Sequence, residues 1–259
     1  MTILVTGGTG TLGRRVVDAL EQTGAEVRPL SRGKRAPLQD HIGVEADLLS
    51  KDDLTAALAG VTTVIHCAHD SSTPDNSIAG TTNLLETCKA AGVGHFVYIG
   101  IAGIETSADF PYYAVKLEEE RRIAASGIPY SILRAAQFHN LVHAVLTRLN
   151  TAPMLMYVPR GVVLRPVDIR TVADRLADLA LGPPRGRCRD LVGPEERPLE
   201  SLAKQWLRAR GQWKIVFAFP SKAPGFKAFA TLTRGDADKA GPDFALWLAE
   251  NVQRPKRRR

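Results

Sequence analysis

The sequence is poor in cysteine and lacks any apolar run long enough to cross a membrane. Its three cysteines, Cys67, Cys88 and Cys188, are odd in number and lack the spacing of metal ligands. We therefore predict reduced thiols, with neither a disulfide framework nor a metal site. A membrane-spanning helix needs about 18 or more apolar residues, which no segment supplies, and the N-terminus has the pattern of a strand rather than a signal peptide. These absences predict a cytoplasmic protein without a membrane partner.

The formal net charge of +7 could suggest a nucleic-acid partner, but the distribution of the basic residues along the chain argues against it. Much of the excess lies in residues 254–259, a basic tail that follows the last amphipathic segment. We interpret this tail as disordered and solvated; a patch that binds polyanions is the alternative. The other cations are scattered, so nucleic acid is not a predicted partner. No pattern indicates an oligomeric state.

The glycine-rich stretch near the N-terminus is the most informative part of the chain. Residues 3–5 form a short apolar run, a glycine cluster follows, and apolar residues then recur at helical spacing through residue 20. This order predicts a strand, a tight turn and a helix, an arrangement that binds a pyrophosphate at the helix N-terminus. The glycines would form the turn, admit the phosphates and let the helix pack closely. The predicted dinucleotide contacts in this stretch are Gly7, Thr9, Gly10, Thr11, Leu12 and Gly13.

The end of the second predicted strand, residues 26–30, indicates which dinucleotide binds. A site selective for NAD usually places a carboxylate here to bind the ribose 2′-OH, whereas a 2′-phosphate attracts cations. The chain continues S-R-G-K-R over residues 31–35, with nothing acidic to repel a phosphate. Ser31, Arg32 and Arg35 therefore predict NADP(H), and a merely basic surface loop is the alternative.

Strands and helices continue to alternate after this loop. We predict strands over 43–48, 61–68 and 95–99, with a helix over 77–91 before the last of them. The strand over 61–68 is almost uninterruptedly apolar, as a parallel sheet that is buried on both faces requires. At the ends of these strands we predict that the cofactor meets Asp47, which would reach an adenine edge, Leu48, Cys67, Ala68 and His69. A structural role is the alternative for His69.

This alternation, at the spacing of βαβ crossovers, predicts an α/β fold with a doubly wound parallel sheet. We assign residues 1–150 to an NADP(H)-binding core and residues 151–253 to a small α/β substrate lobe that is interleaved with it. Short amphipathic helices over 199–207, 226–232 and 244–252 and a strand over 214–219 are predicted in this lobe. Most of its aromatic residues are predicted to lie in its core, and a few could line an apolar or aromatic substrate site.

Tyr112 and Lys116 lie four residues apart and therefore share one face of a predicted helix. An ammonium group beside a phenol lowers the pKa of the phenol, so that it can give a proton to a carbonyl oxygen while hydride arrives. We predict that this pair is catalytic. The alternative is that Tyr112 and its neighbour Tyr113 only pack over the cofactor.

Three motifs together resemble the short-chain dehydrogenase/reductase superfamily: T-G-x-x-G-x-x-G over 6–13, Asp47-Leu48 after the third strand, and Y-x-x-x-K over 112–116. The wider pattern resembles its atypical, NmrA-like branch: P-Y-Y-x-x-K-x-x-x-E over 111–120, S-G-I-P-Y-S-I-L-R-A over 126–135 and R-P-V-D-I over 165–169. The resemblance extends over about residues 1–181. It implies a Rossmann fold that binds NAD(P), with Lys116 on the nicotinamide ribose and Tyr112 as the proton donor.

The chain departs from this family at the end of the fifth strand. Members with full carbonyl chemistry usually have a serine there to bind the substrate oxygen, but this chain reads I-G-I-A-G over 99–103. Thr106 or Ser107 in the next loop could substitute. The departure leaves the ribose contact of Lys116 intact and puts the proton-donor role of Tyr112 in doubt.

The segment after the sixth strand is predicted to pass beside the nicotinamide. Ala135, Gln137 and Phe138 are the predicted cofactor contacts there. His139 and His143 lie four residues apart, a spacing that could bind a metal, but no acidic or cysteine partner accompanies them. We therefore predict that they form a wall of the substrate pocket. The full set of predicted substrate contacts is Ile101, Tyr113, His139 and His143.

Taken together, these patterns predict an NADPH-dependent reductase of a small apolar or aromatic carbonyl, enone or quinone-like substrate. Electrostatics and positioning would supply most of the rate. A non-catalytic NADP(H)-sensing regulator is one alternative, because the resemblance includes such proteins and the strand-five serine is missing. An isomerase, epimerase or dehydratase that retains its cofactor is another.

Overall fold

The computed structural model describes residues 1–33, 43–69, 73–221, 223–230 and 236–252. Within these ranges the chain divides into two compact units. The first unit comprises Met1–Gly100, Pro111–Arg134 and Val172–Arg189. The second comprises Ile101–Phe110, Ala135–Thr171 and the described residues from Asp190 onward. The basic tail over 254–259 and Arg35 lie outside the described residues.

The strands, numbered in chain order, are β1 (Thr2–Thr6), β2 (Glu26–Ser31), β3 (Val44–Glu45), β4 (Thr63–His66), β5 (His95–Ile101), β6 (Tyr130–Ala135), β7 (Leu155–Pro159), β8 (Val163–Leu164), β9 (Gly186–Arg187), β10 (Asp190–Val192), β11 (Arg197–Pro198), β12 (Ile215–Phe219) and β13 (Ala237–Lys239). The helices are α1 (Thr11–Glu21), α2 (Lys51–Ala57), α3 (Pro74–Ala90), α4 (Pro111–Ala125), α5 (His139–Leu149), α6 (Ile169–Leu181), α7 (Leu199–Ala209), α8 (Pro224–Phe229) and α9 (Phe244–Asn251). A short 3-10 helix, Ile104–Ser107, precedes α4.

The first unit contains a parallel sheet with the strand order β3-β2-β1-β4-β5-β6, and β9 pairs with β6. The pairs β1–β2, β1–β4, β2–β3, β4–β5 and β6–β9 are all parallel. This order is that of dinucleotide-binding sheets, in which the strand order reverses between β1 and β4. The predicted doubly wound parallel sheet is therefore confirmed.

Several element boundaries in the first unit differ from the predictions, and two of these differences have clear local causes. The third strand ends at Glu45 rather than residue 48, because the Asp47 side chain accepts a hydrogen bond from the Leu49 amide at 3.0 Å and turns the chain. Helix α3 begins at Pro74 rather than residue 77. Proline is suited to the first helical position, where its missing N–H is not needed.

The second unit is built around an apolar cluster that α5, α7 and α9 share with β7 and β8. Trp206 lies fully buried in this cluster beside Phe244 and Trp247. The strands of this unit form small pairs: β7 with β12 and β10 with β13 in parallel, and β8 with β11 antiparallel. Of these strands, only β12 lies in a segment that the sequence patterns predicted to be extended.

The helices of the described residues include none that combines the length and the apolar character of a membrane span. Likewise, no group of three or more histidine, cysteine, aspartate or glutamate side chains in the described ranges is arranged to hold a metal ion.

Candidate functional site

The segments that follow β1, β2, β3 and β4 in the first unit enclose a cleft of about 470 Å³. That volume lies in the range of small-molecule and cofactor sites. In open α/β sheets, ligands bind at the carboxyl ends of the strands where the strand order reverses, which is the position of this cleft. Its lining residues are Gly7, Thr9, Gly10, Thr11, Leu30, Ser31, Arg32, Ala46, Asp47, Leu48, Leu49, His66, Cys67, Ala68, His69, Asn76, Ser77 and Thr81.

The glycine-rich turn is packed so closely that side chains are excluded from it. Gly7 has φ +66°, and a β-carbon placed on it would lie 2.9 Å from backbone atoms of Ala68. A β-carbon on Gly13 would lie 2.1 Å from the Gly7 carbonyl oxygen, so the glycine lets α1 approach the turn. Helix α1 has Gly10 as its N-cap, with no side-chain cap and no acidic residue in its first turn. This helix end therefore suits an anion.

The rim of the cleft beyond β2 carries charges of both signs. Arg32 lines the cleft and is exposed. Glu45 lies close to the same loop, since a β-carbon on Gly33 would come within 2.3 Å of its carboxylate. The expectation that nothing acidic lies near the ribose phosphate is therefore wrong. The parallel pairing of Ser31 with Glu45 brings the carboxylate there from a distant part of the sequence.

Asp47 lines the cleft directly after β3. Its Oδ1 accepts the amide hydrogen of Leu49, and its own amide donates to Asp53 Oδ2 at 3.2 Å. The turn therefore fixes one carboxylate oxygen at the cleft. Its predicted contact with an adenine edge stays a prediction.

Beneath the cleft lies a network of buried polar side chains centred on Glu119, which is fully buried. Glu119 Oε1 accepts hydrogen bonds from the hydroxyls of Ser77 at 2.8 Å and Thr81 at 3.1 Å. Its Oε2 accepts one from the Tyr98 hydroxyl and lies 3.3 Å from Lys116 Nζ. Burial alone would raise the pKa of Glu119, but Lys116, His66 and these hydrogen bonds outweigh it and lower the pKa to about 2.

Two histidines are linked to this carboxylate through hydroxyl groups. His66 Nε2 lies 3.1 Å from Thr81 Oγ1, and His69 Nδ1 lies 3.1 Å from Ser77 Oγ. Because both hydroxyls donate to Glu119, each must accept from the imidazole beside it. His66 therefore carries its hydrogen on Nε2, and His69 carries one on Nδ1.

His66 closes the network on the side of β1. Its Nδ1 lies 2.6 Å from Thr6 Oγ1, which in turn accepts the Ala68 amide hydrogen at 3.3 Å. Burial lowers the pKa of His66 to about 4, although the Glu119 carboxylate offsets part of this effect. His66 is therefore neutral at pH 7 and serves as a fixed link between strands β1 and β4.

Lys116 is buried within the same network rather than exposed at the cleft. Its ammonium group pairs with Glu119 and lies 4.2 Å from the centre of the Tyr98 ring. Lys116 is not part of the cleft lining in the described part of the chain. The resemblance assigns it to the nicotinamide ribose, and that contact stays a prediction.

Tyr112 is the exposed member of the predicted catalytic pair, with 36% of its surface accessible. Its ring packs edge-on against His69, with the ring centres 4.6 Å apart, and also contacts Tyr113. Burial of the phenol and the nearby Glu119 carboxylate raise its pKa. The prediction that Lys116 lowers this pKa is therefore wrong, because the Lys116 ammonium is paired with Glu119.

Gly100 shows why no serine occupies the end of β5. A β-carbon at Gly100 would lie 2.2 Å from Glu120 Oε1 and 2.9 Å from Arg134 Cγ. Glu120 and Arg134 form a buried ion pair with an N–O distance of 2.7 Å. This pair fills the space that a side chain at residue 100 would need. Of the proposed substitutes, the Thr106 hydroxyl donates to the Gly103 carbonyl at 2.8 Å, and Ser107 is buried.

The sequence profile of one protein family, described as NAD(P)H-binding, matches residues 7–152, which is more than half of the chain. The chain belongs to this NAD(P)H-binding family. With the strand order of the first unit, this match confirms the resemblance to the atypical short-chain dehydrogenase/reductase superfamily.

Individual relatives of this NAD(P)H-binding chain have different described roles. A photosystem II assembly factor, Ycf39 of Trieres chinensis, is 32% identical over 54% of this chain and 46% of its own length. A 2-alkyl-3-oxoalkanoate reductase of Stenotrophomonas maltophilia is 29% identical over 88% of this chain and 79% of its own length. The chain spans less than half the length of the first curated relatives that it matches.

Among solved structures, a nucleoside-diphosphate-sugar epimerase from Staphylococcus aureus has a TM-score of 0.80 and 18% identity, covering 96% of this chain and 100% of that chain. At this identity the likeness concerns the fold.

The cleft fits the nicotinamide dinucleotide that the family implies. The turn at Gly7 leaves no room for a side chain, and the N-terminus of α1 has no side-chain cap. The ends of the adjoining strands supply polar groups. Eleven of the predicted cofactor contacts line the cleft: Gly7, Thr9, Gly10, Thr11, Ser31, Arg32, Asp47, Leu48, Cys67, Ala68 and His69. Leu12 and Gly13 instead belong to α1, where Gly13 packs against the turn.

Lys116 is buried in the first unit, as is Tyr113, and Arg35 lies outside the described residues. The other predicted contacts belong to the second unit. Ala135 and Gln137 are buried, and Ile101 and Phe138 are partly buried. His139 is fully buried against Phe244 and Trp247, and its Nε2 donates to the Pro242 carbonyl at 3.1 Å. His143 Nδ1 accepts the indole hydrogen of Trp206 at 2.9 Å. These are contacts of core residues, and the predicted substrate roles stay predictions.

Three polar residues at the cleft were not singled out by the sequence patterns: Asn76, Ser77 and Thr81. All three lie in the first two turns of α3. Thr73-Pro74 is the signal that could have located them, because a proline after a capping-type residue marks a helix start. Placing that start at residue 74 brings Asn76 into the helix, whereas residues 77 and 81 already share one face of the helix predicted over 77–91.

Proposed function

We propose that this chain is an NADPH-dependent reductase of a small apolar or aromatic carbonyl, enone or quinone-like compound. The observation that carries the proposal is the contact between Tyr112 and His69. His69 lines the cofactor cleft, and the Tyr112 phenol beside it is partly exposed and has a raised pKa. A proton donor therefore stands at the edge of a nicotinamide-binding cleft.

Different residues of the cleft would bind different parts of the cofactor. The turn at Gly7 and the N-terminus of α1 would hold the pyrophosphate. Arg32 would bind the 2′-phosphate through charge-assisted hydrogen bonds. Glu45 would oppose that phosphate, so the preference for NADPH depends on Arg32 outweighing it. The nicotinamide, when bound, supplies the hydride.

The raised pKa of Tyr112 keeps the phenol protonated, although it also makes the phenol a weaker acid than a free tyrosine. At neutral pH the phenol is protonated, so it can donate its hydroxyl hydrogen to the substrate oxygen as negative charge develops there. The phenolate that would act as a base in the reverse oxidation is scarcely populated. Glu119 contributes to this by raising the pKa of Tyr112.

The Glu119 network gives this site a rigid floor. Ser77 fixes the Nδ1 edge of His69, and Glu119 fixes Ser77. The His69 ring then packs against Tyr112 and limits its movement. In this arrangement Lys116 acts as a positioning residue, because it neutralises Glu119 within the buried network.

A second candidate is a non-catalytic NADP(H)-binding protein. The filled space at Gly100 favours it, since no serine hydroxyl can assist Tyr112 there. The likeness of 54% of the chain to a photosystem II assembly factor points the same way. An epimerase that retains its cofactor would also show no net consumption of NADPH.

The deciding experiment measures NADPH oxidation against a panel of ketones, enones and quinones. On an active substrate, Tyr112→Phe should lower kcat by roughly 10²–10⁴-fold and leave the Kd for NADPH nearly unchanged, because a general acid acts in the transition state. Tyr130→Phe is the matched control, since it removes a tyrosine hydroxyl on β6 from a residue that does not line the cleft, and it should retain most of the turnover.

Near wild-type turnover of Tyr112→Phe would contradict the acid role of Tyr112. No oxidation of NADPH by any substrate, together with tight NADPH binding, would favour the non-catalytic candidate.

A further inference from the structure

The two-stranded sheet of β7 and β12 in the second unit is apolar on both faces. Its strands read L-M-Y-V-P and I-V-F-A-F, and side chains alternate between the faces along each strand. Continuous apolar strands are typical of sheets that are covered on both sides, whereas strands covered on one side usually alternate with polar residues. This sequence pattern therefore predicts a partner for each face.

Only one face of this sheet is covered by the described residues of the second unit. Met156 and Val158 are fully buried, and Val216 and Ala218 pack against the same core cluster. The side chains between them point away from that cluster. The stability of the sheet therefore comes from its inner face.

The opposite face, here called the outer face, carries four exposed apolar side chains, and its other members, Leu155, Pro159 and Phe219, are partly or fully buried. Phe217 pairs in register with Tyr157, and their rings meet edge-on with centres 5.9 Å apart. Ile215 and Trp213 continue the same alternation, and the Ile215 amide donates to the Met154 carbonyl. The exposed fractions are 44% for Tyr157, 77% for Trp213, 56% for Ile215 and 54% for Phe217.

The chain segments that form this sheet carry charges of one sign. The sequence contains no aspartate or glutamate between Glu120 and Asp168, and none between Glu200 and Asp236. These two segments contain β7 and β12. The cations nearest the sheet bind backbone carbonyls: Lys214 Nζ donates to Ala152 O at 2.6 Å, and Arg160 Nη2 donates to Ala218 O at 3.3 Å. Positive charge thus stands at both ends of the two-stranded sheet.

We propose that the outer face docks on the surface of an anionic lipid bilayer. Aromatic side chains prefer the boundary between headgroups and acyl chains, and flanking lysine and arginine side chains are attracted to anionic headgroups. The apolar side chains would contact the acyl-chain boundary of such a surface, and the cations at the ends of the sheet would contact its anionic headgroups. This mode of binding requires no membrane-spanning segment.

The test uses the full chain and vesicles of two compositions. One contains equal parts of phosphatidylserine and phosphatidylcholine, and the other contains phosphatidylcholine alone. Trp206 and Trp247 are buried, so Trp213 is the exposed tryptophan of the chain. Its fluorescence should shift to shorter wavelength when the outer face enters the lipid, and cosedimentation should give the partition coefficient. Binding is expected only with the anionic vesicles and should weaken as salt is added.

The variants separate the outer face from the rest of the chain. Each of Trp213→Ser and Phe217→Ser should lower the partition coefficient about tenfold or more. Each of Lys214→Gln and Arg160→Gln should lower it about fivefold. Leu246→Ser is the matched control, because Leu246 is also 53% exposed in the second unit but lies on α9. It should bind as the wild type does. Thermal unfolding establishes that each variant is folded.

Three results would overturn the proposal. The first is no cosedimentation with the anionic vesicles at low salt. The second is wild-type binding by the Trp213→Ser and Phe217→Ser variants, which would assign the binding to cations elsewhere, such as residues 254–259. The third is a dimer in light scattering that Phe217→Ser dissociates, without binding of vesicles, which would assign the outer face to a second copy of the chain.

Discussion

In the first unit, two ion pairs bury four charged side chains, whereas in the second unit the outer face exposes four apolar ones. Lys116–Glu119 and Glu120–Arg134 lie within the core of the parallel sheet and its helices. Buried ion pairs contribute little net stability, and exposed apolar groups contribute none. Both features therefore indicate functions that folding alone does not require. The buried ion pairs support the cofactor cleft, and the exposed apolar side chains fit a docking surface.

Replacing Glu119 is expected to have the largest effect. Glu119→Gln keeps the shape of the side chain but leaves the buried Lys116 ammonium without a counter-charge. It should lower the free energy of unfolding at pH 7 by about 3–5 kcal/mol. Urea denaturation measures this change.

Glu118→Gln provides the control, because Glu118 belongs to the same helix and pairs with Arg121 and Arg122 at the surface. Surface ion pairs contribute about 0–1 kcal/mol, so this variant should be nearly as stable as the wild type. An equal loss of unfolding free energy in the two variants would mean that the buried network stabilises the fold no more than a surface ion pair does.

Acid should destabilise the first unit through His66. The pKa of His66 is 6.5 when exposed and about 4 in the folded chain, so the folded state prefers the neutral ring. The stability from this preference is complete above pH 6.5 and is lost as pH falls toward 4. At about 1.4 kcal/mol for each pH unit, the loss amounts to roughly 3 kcal/mol. Glu119, whose pKa is lowered to about 2, adds a loss only below pH 4.5.

His66→Gln isolates this contribution, because His95, His139 and His143 also have pKa values lowered by burial. The free energy of unfolding should fall less between pH 7 and pH 4 in this variant than in the wild type. The same fall in both proteins would assign the acid sensitivity to the other histidines.

The smallest effect on stability is expected at the outer face. Phe217→Ser should change the free energy of unfolding by no more than about 0.5 kcal/mol, because an exposed side chain gains little from folding. Denaturation in the absence of lipid measures this. A loss as large as that of a core phenylalanine would show that the outer face is covered by the protein itself.

The sequence patterns predicted those features of the fold that depend on residues adjacent in the chain. The strand, turn and helix of residues 2–21 follow one another along the chain, so periodicity and glycine spacing were sufficient to predict them. The Glu119 network joins residues of β1, β4, α3 and α4, and its shape depends on the order of the strands. No local pattern contains that information. One part could have been recognised, since Lys116 and Glu119 lie three apart on a helix and can pair.

The two errors in electrostatics have the same origin. Arg32 and Lys116 were each interpreted from nearby residues alone. Glu45 reaches the loop of Arg32 through the pairing of β2 with β3, and Glu119 withdraws Lys116 from Tyr112. A similar limit applies to Trp213 and Phe217, since an apolar pattern predicts burial on both faces without naming the partner that covers them.

Titration of NADPH and NADH into the wild type and Arg32→Asp tests the assignment of the cleft most directly. The wild type should bind NADPH more tightly than NADH, by about one to two orders of magnitude in Kd. That ratio corresponds to about 1.5–3 kcal/mol for a charge-assisted contact. Arg32→Asp should remove the preference for NADPH while it still binds NADH. Weak binding of both dinucleotides by the wild type, or an unchanged preference for NADPH in Arg32→Asp, would contradict the account.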